Sequence, residues 1–363
     1  AYNLTKQLAR MGHELQIFCA ASPCQPGRSS IENIKITRLP VDAWLYGTPI
    51  TSKLPIELLR TQTDLMHAGF PSPFNAFCTS LACRIRKLPH ILTWHNDLPS
   101  VTRMSRPLVS THNGLILPMY LPTFNRIIST SRSYASSSQT LSRYAEKVVI
   151  IPNGVDCRRF HTDVDPNPAR RDLDLEHERI VLFVGALSKW HSYKAVDTLI
   201  RAFSPVAESR RDMVLVVVGD GVMKPFYQQL ASDLDLTEKV LFAGNVSDQD
   251  LPHYYAACEF LVLPSKDRSE GFGLTILEAN ACGKPAIGSE VGGVVDVIDH
   301  ESTGLLVPPN DPSSLSGAML RLIEDDGLRA RMGSLCRSYA EMHDWSRIAE
   351  ETERIYQDVK QEV

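Results

Sequence analysis

With 363 residues the chain exceeds the ~250–300 at which one hydrophobic core stops growing, so two domains are expected. Apolar residues at 43% and charged ones at 22% are the balance of a globular protein in water, and the greasiest stretch, LILPMYLPTF, is broken by Pro118 and Pro122 well short of the ~18 residues of a membrane span. A net charge of −4 hides an asymmetry: residues 1–150 hold 16 Lys plus Arg against 7 Asp plus Glu, net +9, and the remainder holds 22 against 35, net −13.

In chain order, AYNLTKQLARMGH reads as an amphipathic helix starting at Ala1, then ELQIFCA and DLMHA as strands, FNAFCTSLACRIRK as a helix, and HILTWHN and RIIST as strands. SYASSSQTLSRYA reads as a helix and KVVIIPNG closes this series as a strand. Short β-branched runs alternating with helices predict a parallel sheet with crossover helices. The following PNGVDCRRFHTDVDPNPARRD, rich in Pro, Asn, Asp and Arg, reads as an exposed linker. The alternation then restarts with the strands RIVLFVGAL, MVLVVVGDG, KVLFAGNV, CEFLVLPS, KPAIGSE and TGLLVPP, and helices finish the chain. The expected organisation is an N-terminal domain over 1–152, a linker over 153–178, a C-terminal domain over 179–340 and a last helix over 341–363 crossing back to the first domain.

Cys19, Cys24, Cys78, Cys83, Cys157, Cys258, Cys282 and Cys336 lack the CxxC pairs and partner histidines of a zinc site, so reduced thiols are expected and no metal site is called. No basic run is interleaved with stacking aromatics, so nucleic acid is not an expected partner. The basic first half suits an anionic membrane face or an anionic acceptor; the local alternative is that Arg84, Arg86 and Lys87 merely face the C-terminal end of their own helix.

The segment SKDRSEGFGLTILEANACGKPAIGSEVGG, residues 265–293, carries the most chemistry. A strand ends near Ser265, a turn runs through Glu270, Gly271, Phe272 and Gly273, and LTILEANACG has helical spacing until Gly283. Unbonded N–H groups at that helix start favour a phosphate. Glu278, about a turn further in, is placed to accept from ribose hydroxyls, and Glu270 from those of a second polyol. A tight turn followed by a core helix with one surface glutamate is the alternative for such a turn standing alone.

EGFGLTILE, followed by AxxxGxPxI and a GG pair, resembles the signature of the family 4 retaining glycosyltransferases. YNLTKQLARMGHEL, TWHND, KVVIIPNGVDCRRF, VLFVGAL with KAVDTLIRAF, LVVVGDG, VLFAGNV and STGLLVPPNDPSSLSGAM match in order, from Ala1 to about Asp358. The resemblance implies a GT-B fold: two Rossmann-like, doubly wound parallel-sheet α/β domains facing across a cleft. It implies transfer of a hexosyl group from a nucleotide diphosphate sugar to a lipid-linked, polysaccharide or other glycan acceptor.

By position, the resemblance gives Glu270 the donor sugar hydroxyls, and the backbone from Gly271 and Phe272 to Gly273 and Leu274 the sugar and distal phosphate. Glu278 takes the ribose, Lys194 the diphosphate, and Gly244, Asn245 and Val246 the base edge. Gly185, Gly219 and Gly221 end neighbouring strands, and His95 falls on the acceptor side. A catalytic set of Glu270, Lys194 and His95 follows, with no cofactor and no metal.

Most members carry an arginine after the glycine of VGR, where this chain has Ala186 in VGALSKWHSYK; Lys189 or His191 would have to supply the missing donor. Members also have a strand and a glycine-rich turn before the first helix, so an N-terminal truncation is expected, in keeping with the missing initial Met. Alternatives are a nucleotide-sugar-binding pseudoenzyme, an inactive fragment, or a GT-B epimerase. A cytoplasmic location with peripheral contact at the inner membrane face is the expectation that goes with the basic half.

Overall fold

The computed structural model describes residues 2–21, 25–45, 48–98 and 105–362; Ala1 and Cys24 lie outside them. The chain divides into two compact units, one formed by Ala1–Pro152 with Trp345–Val363, the other by Asn153–Asp344.

In the first unit, β1 (Leu15–Ala20), β2 (Gly27–Ile31) and β3 (Ile34–Leu39) form a sheet in the order β1-β3-β2, β1 and β3 parallel and β2 antiparallel at the edge. A small antiparallel pair, β4 (Ala43–Leu45) and β5 (Thr48–Ile50), follows. A four-stranded parallel sheet comes next: β6 (Met66–Phe70), β7 (His90–Trp94), β8 (Arg126–Ser129) and β9 (Val148–Ile150), in chain order. Its core centres on Phe70 stacked on Trp94 at 3.9 Å between ring centroids, with Leu92, Tyr120, Phe124 and Ile127 around them.

The helix Trp345–Gln361 covers the other face of this sheet, where Ile348 and Val359 join Ile91, Ile128 and Ile151. His67 ties it down: one ring nitrogen lies 2.6 Å from the Tyr356 hydroxyl and the other 2.6 Å from Thr93 Oγ1. Burial holds this imidazole down to about 4, so it is neutral at pH 7 and bonds through one donor and one acceptor nitrogen.

In the second unit, β10 (Arg179–Val184), β11 (Met213–Val218), β12 (Val240–Gly244), β13 (Cys258–Leu263), β14 (Ala286–Ser289) and β15 (Gly304–Val307) form one all-parallel sheet. The order is β12-β11-β10-β13-β14-β15, the doubly wound Rossmann arrangement. Strands such as β11, MVLVVV, are buried along their whole length because helices cover both faces, hence their uninterrupted apolar sequence.

Several expectations need correction. Residues 153–178 do not form an exposed linker: Val155, Phe160 and Ala169 are buried in the core of the second unit, and the helix Asn167–Asp172 packs there. The local polar composition obscured three apolar anchors. The SYASSSQTLSRYA segment is not one helix but a helix Arg132–Ser137 and a 3₁₀ stretch Leu141–Lys147. Ser138 explains the break, since its hydroxyl accepts from the Leu141 N–H and donates to Asp97, competing with the helical ladder. The last helix starts at Trp345 rather than at residue 341.

Candidate active site at the strand switch point

After β12 the chain returns to the other side of β10, so β10 and β13 are neighbours whose connections leave in opposite directions. In open α/β sheets the carboxyl ends at such a reversal form the ligand crevice. Gly185 follows β10 directly, and Ser265 and Glu270 lie in the loop after β13. The 3₁₀ turn Lys189–Lys194 after β10 is fastened to that loop by the Lys266 N–H, which donates to the Tyr193 carbonyl at 2.8 Å.

This fastening sets Lys194 against Glu270. The Lys194 ammonium donates to Glu270 Oε2 at 2.7 Å, and the Ser265 hydroxyl donates to the same oxygen at 3.2 Å. Both side chains are nearly enclosed, 12% and 9% exposed, so this is a desolvated ion pair. Gly185 makes room for it: a Cβ there would stand 2.9 Å from Lys194 Cδ and 3.1 Å from the Phe183 ring.

The floor beside the pair is built from backbone. The Gly185 N–H donates to Val218 O at 2.9 Å, Leu187 N–H to Asp220 O at 2.9 Å, and Gly219 N–H to Gly244 O at 2.8 Å. Gly219 has φ +133°, and a Cβ on it would overlap the Gly185 carbonyl oxygen; one on Gly221 would overlap that of Leu187. Both glycines are thus required for close approach of the loops, whatever lies above them. Asn245 beyond Gly244 is exposed and Val246 half-buried.

The helix Leu274–Ala281 begins at Gly273, whose φ of +94° belongs to the left-handed region. The loop before it rests on Gly292 and Gly293, and the Gly293 N–H donates to Glu270 O at 2.9 Å. Gly271 and Phe272 are buried and Leu274 is exposed. One turn in, Glu278 Oε2 accepts from the Tyr255 hydroxyl at 2.7 Å. Glu278 is half-buried as a residue, its carboxyl end the enclosed part, and burial pushes this carboxyl up to about 7; the Tyr255 bond and the Arg159 guanidinium oppose the shift. Arg159 comes from the segment expected to be a linker and also donates to the Asp248 carbonyl, just past the turn at 244–246.

Sequence reasoning missed Tyr255, Arg159 and Thr275. Thr275 Oγ1, in the first turn of Leu274–Ala281, is buried without a hydrogen-bond partner among the described residues. Tyr255 looks like core, and it is fully buried; only its spacing to Glu278 across a folded strand gives it a role.

Lys189 and Ala186 are exposed. His191 is bonded to Ser188 Oγ at 2.8 Å and held below its ordinary value by burial and by Lys194. Lys194, Glu270, Ser265 and Gly185 are thus brought together, with Glu278 on the helix that follows the Glu270 loop. His95 belongs to the other unit, just past β7, where its N–H donates to Phe70 O at 3.0 Å. Its ring is solvent-accessible, yet enough protein surrounds it to hold the imidazole down to about 4, hence neutral at pH 7.

Residues 167–338 match the family described as Glycosyl transferases group 1, and residues 1–159 match Glycosyltransferase Family 4. Across 97% of this chain and 92% of the relative, it is 31% identical to an uncharacterized glycosyltransferase of Methanocaldococcus jannaschii. The chain belongs to the family 4-type glycosyltransferases. This glycosyltransferase is also 27% identical to the N-acetyl-alpha-D-glucosaminyl L-malate synthase of Bacillus anthracis, over 98% of its own length and 92% of that enzyme's. Among solved structures, the Anabaena HepE protein in complex with UDP-glucose is similar with a TM-score of 0.77 at 20% identity, covering 95% of this chain and 100% of that one. That likeness carries the fold, the two-domain Rossmann-like GT-B architecture, and the glycosyltransferase's own sheets agree with it.

Proposed function

We propose that this glycosyltransferase moves a hexosyl group, with retention at the anomeric carbon, from a nucleotide diphosphate sugar to a lipid-linked, polysaccharide or other glycan acceptor, without a metal. The observation that carries the reading is the enclosed Lys194–Glu270 pair, 2.7 Å apart where β10 and β13 end, beside a helix that starts at a left-handed glycine. The Anabaena protein described with UDP-glucose supports a sugar nucleotide as donor, and the name of the B. anthracis enzyme, a glucosaminyl synthase, supports a hexosyl group as what is moved.

In this reading Glu270 accepts from sugar hydroxyls through the oxygen that Lys194 and Ser265 leave open. The distal phosphate lies at the start of Leu274–Ala281, over Gly271, Phe272 and Gly273. Glu278, steadied by Tyr255, takes the ribose, and the turn at Gly244, Asn245 and Val246 takes the base. As the anomeric carbon–oxygen bond breaks, charge grows on the departing diphosphate. The Lys194 ammonium and the helix amides stand ready to stabilise it, and such preorganised donors act most strongly on charge that develops in the transition state. The acceptor hydroxyl attacks on the face the diphosphate leaves and passes its proton to the leaving phosphate oxygen. His95, neutral and accessible, is the acceptor-side candidate.

Ala186, exposed where an arginine is usual, favours one second reading: a protein that binds the donor without turnover. A thermal-shift panel of UDP-, GDP- and ADP-sugars, followed by release of nucleoside diphosphate in the presence of glycan acceptors, tests both. Stabilisation by one donor class with release supports transfer; stabilisation without release supports the second reading; no stabilisation by any donor rejects both.

A further inference from the structure

The helix Pro73–Arg86 exposes Phe77, Leu81 and Ile85, which at spacings of four residues form one apolar stripe pointing away from the core. Beside it the helical stretch through residues 112–120 exposes Leu115, Ile116 and Met119, with Leu115 68% and Met119 65% accessible. The two are joined edge to edge: the Phe77 ring meets the Tyr120 ring at 6.0 Å, and Ser80 Oγ lies 2.9 Å from Thr123 Oγ1. Six large apolar side chains on two abutting helices exceed the scattered exposure normal for a surface.

Within this stretch of the chain the charge has one sign. Between residues 65 and 145 the sequence holds eight Lys and Arg and a single carboxylate, Asp97, which is engaged by Trp94 Nε1 and Ser138 Oγ at 3.1 Å each. Arg84 and Lys87, at the end of the first stripe, and Arg106 are exposed. Among the described residues no helix is long and apolar enough to cross a membrane.

We infer that this face of the first unit docks on the surface of an anionic phospholipid bilayer, the apolar stripes entering the headgroup boundary and Arg84, Lys87 and Arg106 meeting lipid phosphates. A protein partner would ordinarily meet a mixed polar rim, whereas an apolar ridge flanked by the exposed Arg84, Lys87 and Arg106, with the nearest acid on a packed helix, Glu57, already paired to Arg28, is complementary to a sheet of negative headgroups. The inference concerns a surface apart from the donor site and holds whichever sugar is moved.

Flotation of the full chain with phosphatidylglycerol–phosphatidylcholine vesicles and with phosphatidylcholine vesicles, no sugar donor present, tests it. Binding is expected to the anionic vesicles, to weaken in 0.5 M salt, and to fall about tenfold or more in Leu115→Ser/Met119→Ser and in Arg84→Glu/Lys87→Glu. All these positions are exposed, so unchanged melting temperatures show that the variants fold. Equal flotation on neutral vesicles, wild-type flotation by both variants, or a concentration-dependent dimer abolished by the Leu115/Met119 variant would overturn the inference.

Discussion

Replacing Lys194 with methionine keeps most of the stem and removes the charge. Glu270 would then keep only the Ser265 hydroxyl, at 3.2 Å, in a site that leaves its side chain 9% exposed. Removing one partner of a buried pair costs about 3–5 kcal/mol, because the remaining charge is left uncompensated, and Glu270→Gln should do the same to the ammonium. The double variant leaves no buried charge, so its loss should fall short of the summed single losses by about 1–3 kcal/mol. Denaturant melts of the four proteins at pH 7 give this coupling. For the reaction, one charge-assisted bond to the leaving diphosphate is worth about 1.5–3 kcal/mol, so Lys194→Met should slow nucleoside diphosphate release roughly ten- to hundredfold. Additive stability losses, within about 0.5 kcal/mol, would refute the pairing; unchanged release would refute the role of Lys194.

Gly219→Ala should fail to accumulate as folded protein or melt far below wild type, since the methyl would meet the Gly185 carbonyl oxygen and the φ of +133° is adverse; a soluble variant with the wild-type melting point would contradict the packing described. Glu278 has its carboxyl pushed from an ordinary 4.5 to about 7, so its native form favours the proton, and the stability linked to it is present below pH 4.5 and lost as pH rises to 7. Glu278→Gln escapes that loss. Its stability relative to wild type should therefore rise between pH 4.5 and pH 8 by on the order of 3 kcal/mol, measured by denaturant melts; a pH-independent difference would show the carboxyl to be ordinary.

The second unit was legible because burial on both faces writes continuous apolar runs, and each strand there, from RIVLFV to GLLV, was read in place. β2, GRSSI, was not, because all five residues are exposed and carry no period-two signal. β4 and β5, three residues each, are too short to show one. Around Pro118 and Pro122 the backbone stays helical from Thr111 through the π turn His112–Ile116 to Leu117, so Pro118 interrupts nothing; the break comes at Tyr120, φ −121°, and Pro122 falls in the first two positions of the short 3₁₀ turn after it, where its missing N–H does no harm.

At the site, Glu270, Gly273 and Glu278 lie within nine residues and announce themselves as a group. Lys194 stands 76 positions from its partner, and residue chemistry alone offered no reason to select it; the family resemblance did. Tyr255 and Arg159 act through folding geometry, one across β13 and the other from a segment whose composition suggested solvent.

The close backbone approach at the ends of β10, β11 and β12 leaves no space at Gly219 or Gly221 for any side chain. Substitution there cannot reshape the crevice by degrees; it either leaves the loops shut or breaks them apart. On the proposed reading, variation in what the crevice accepts is open at its rim, where Lys189 and Asn245 are exposed. A library meant to shift donor preference should start from those positions and should hold these two glycines fixed.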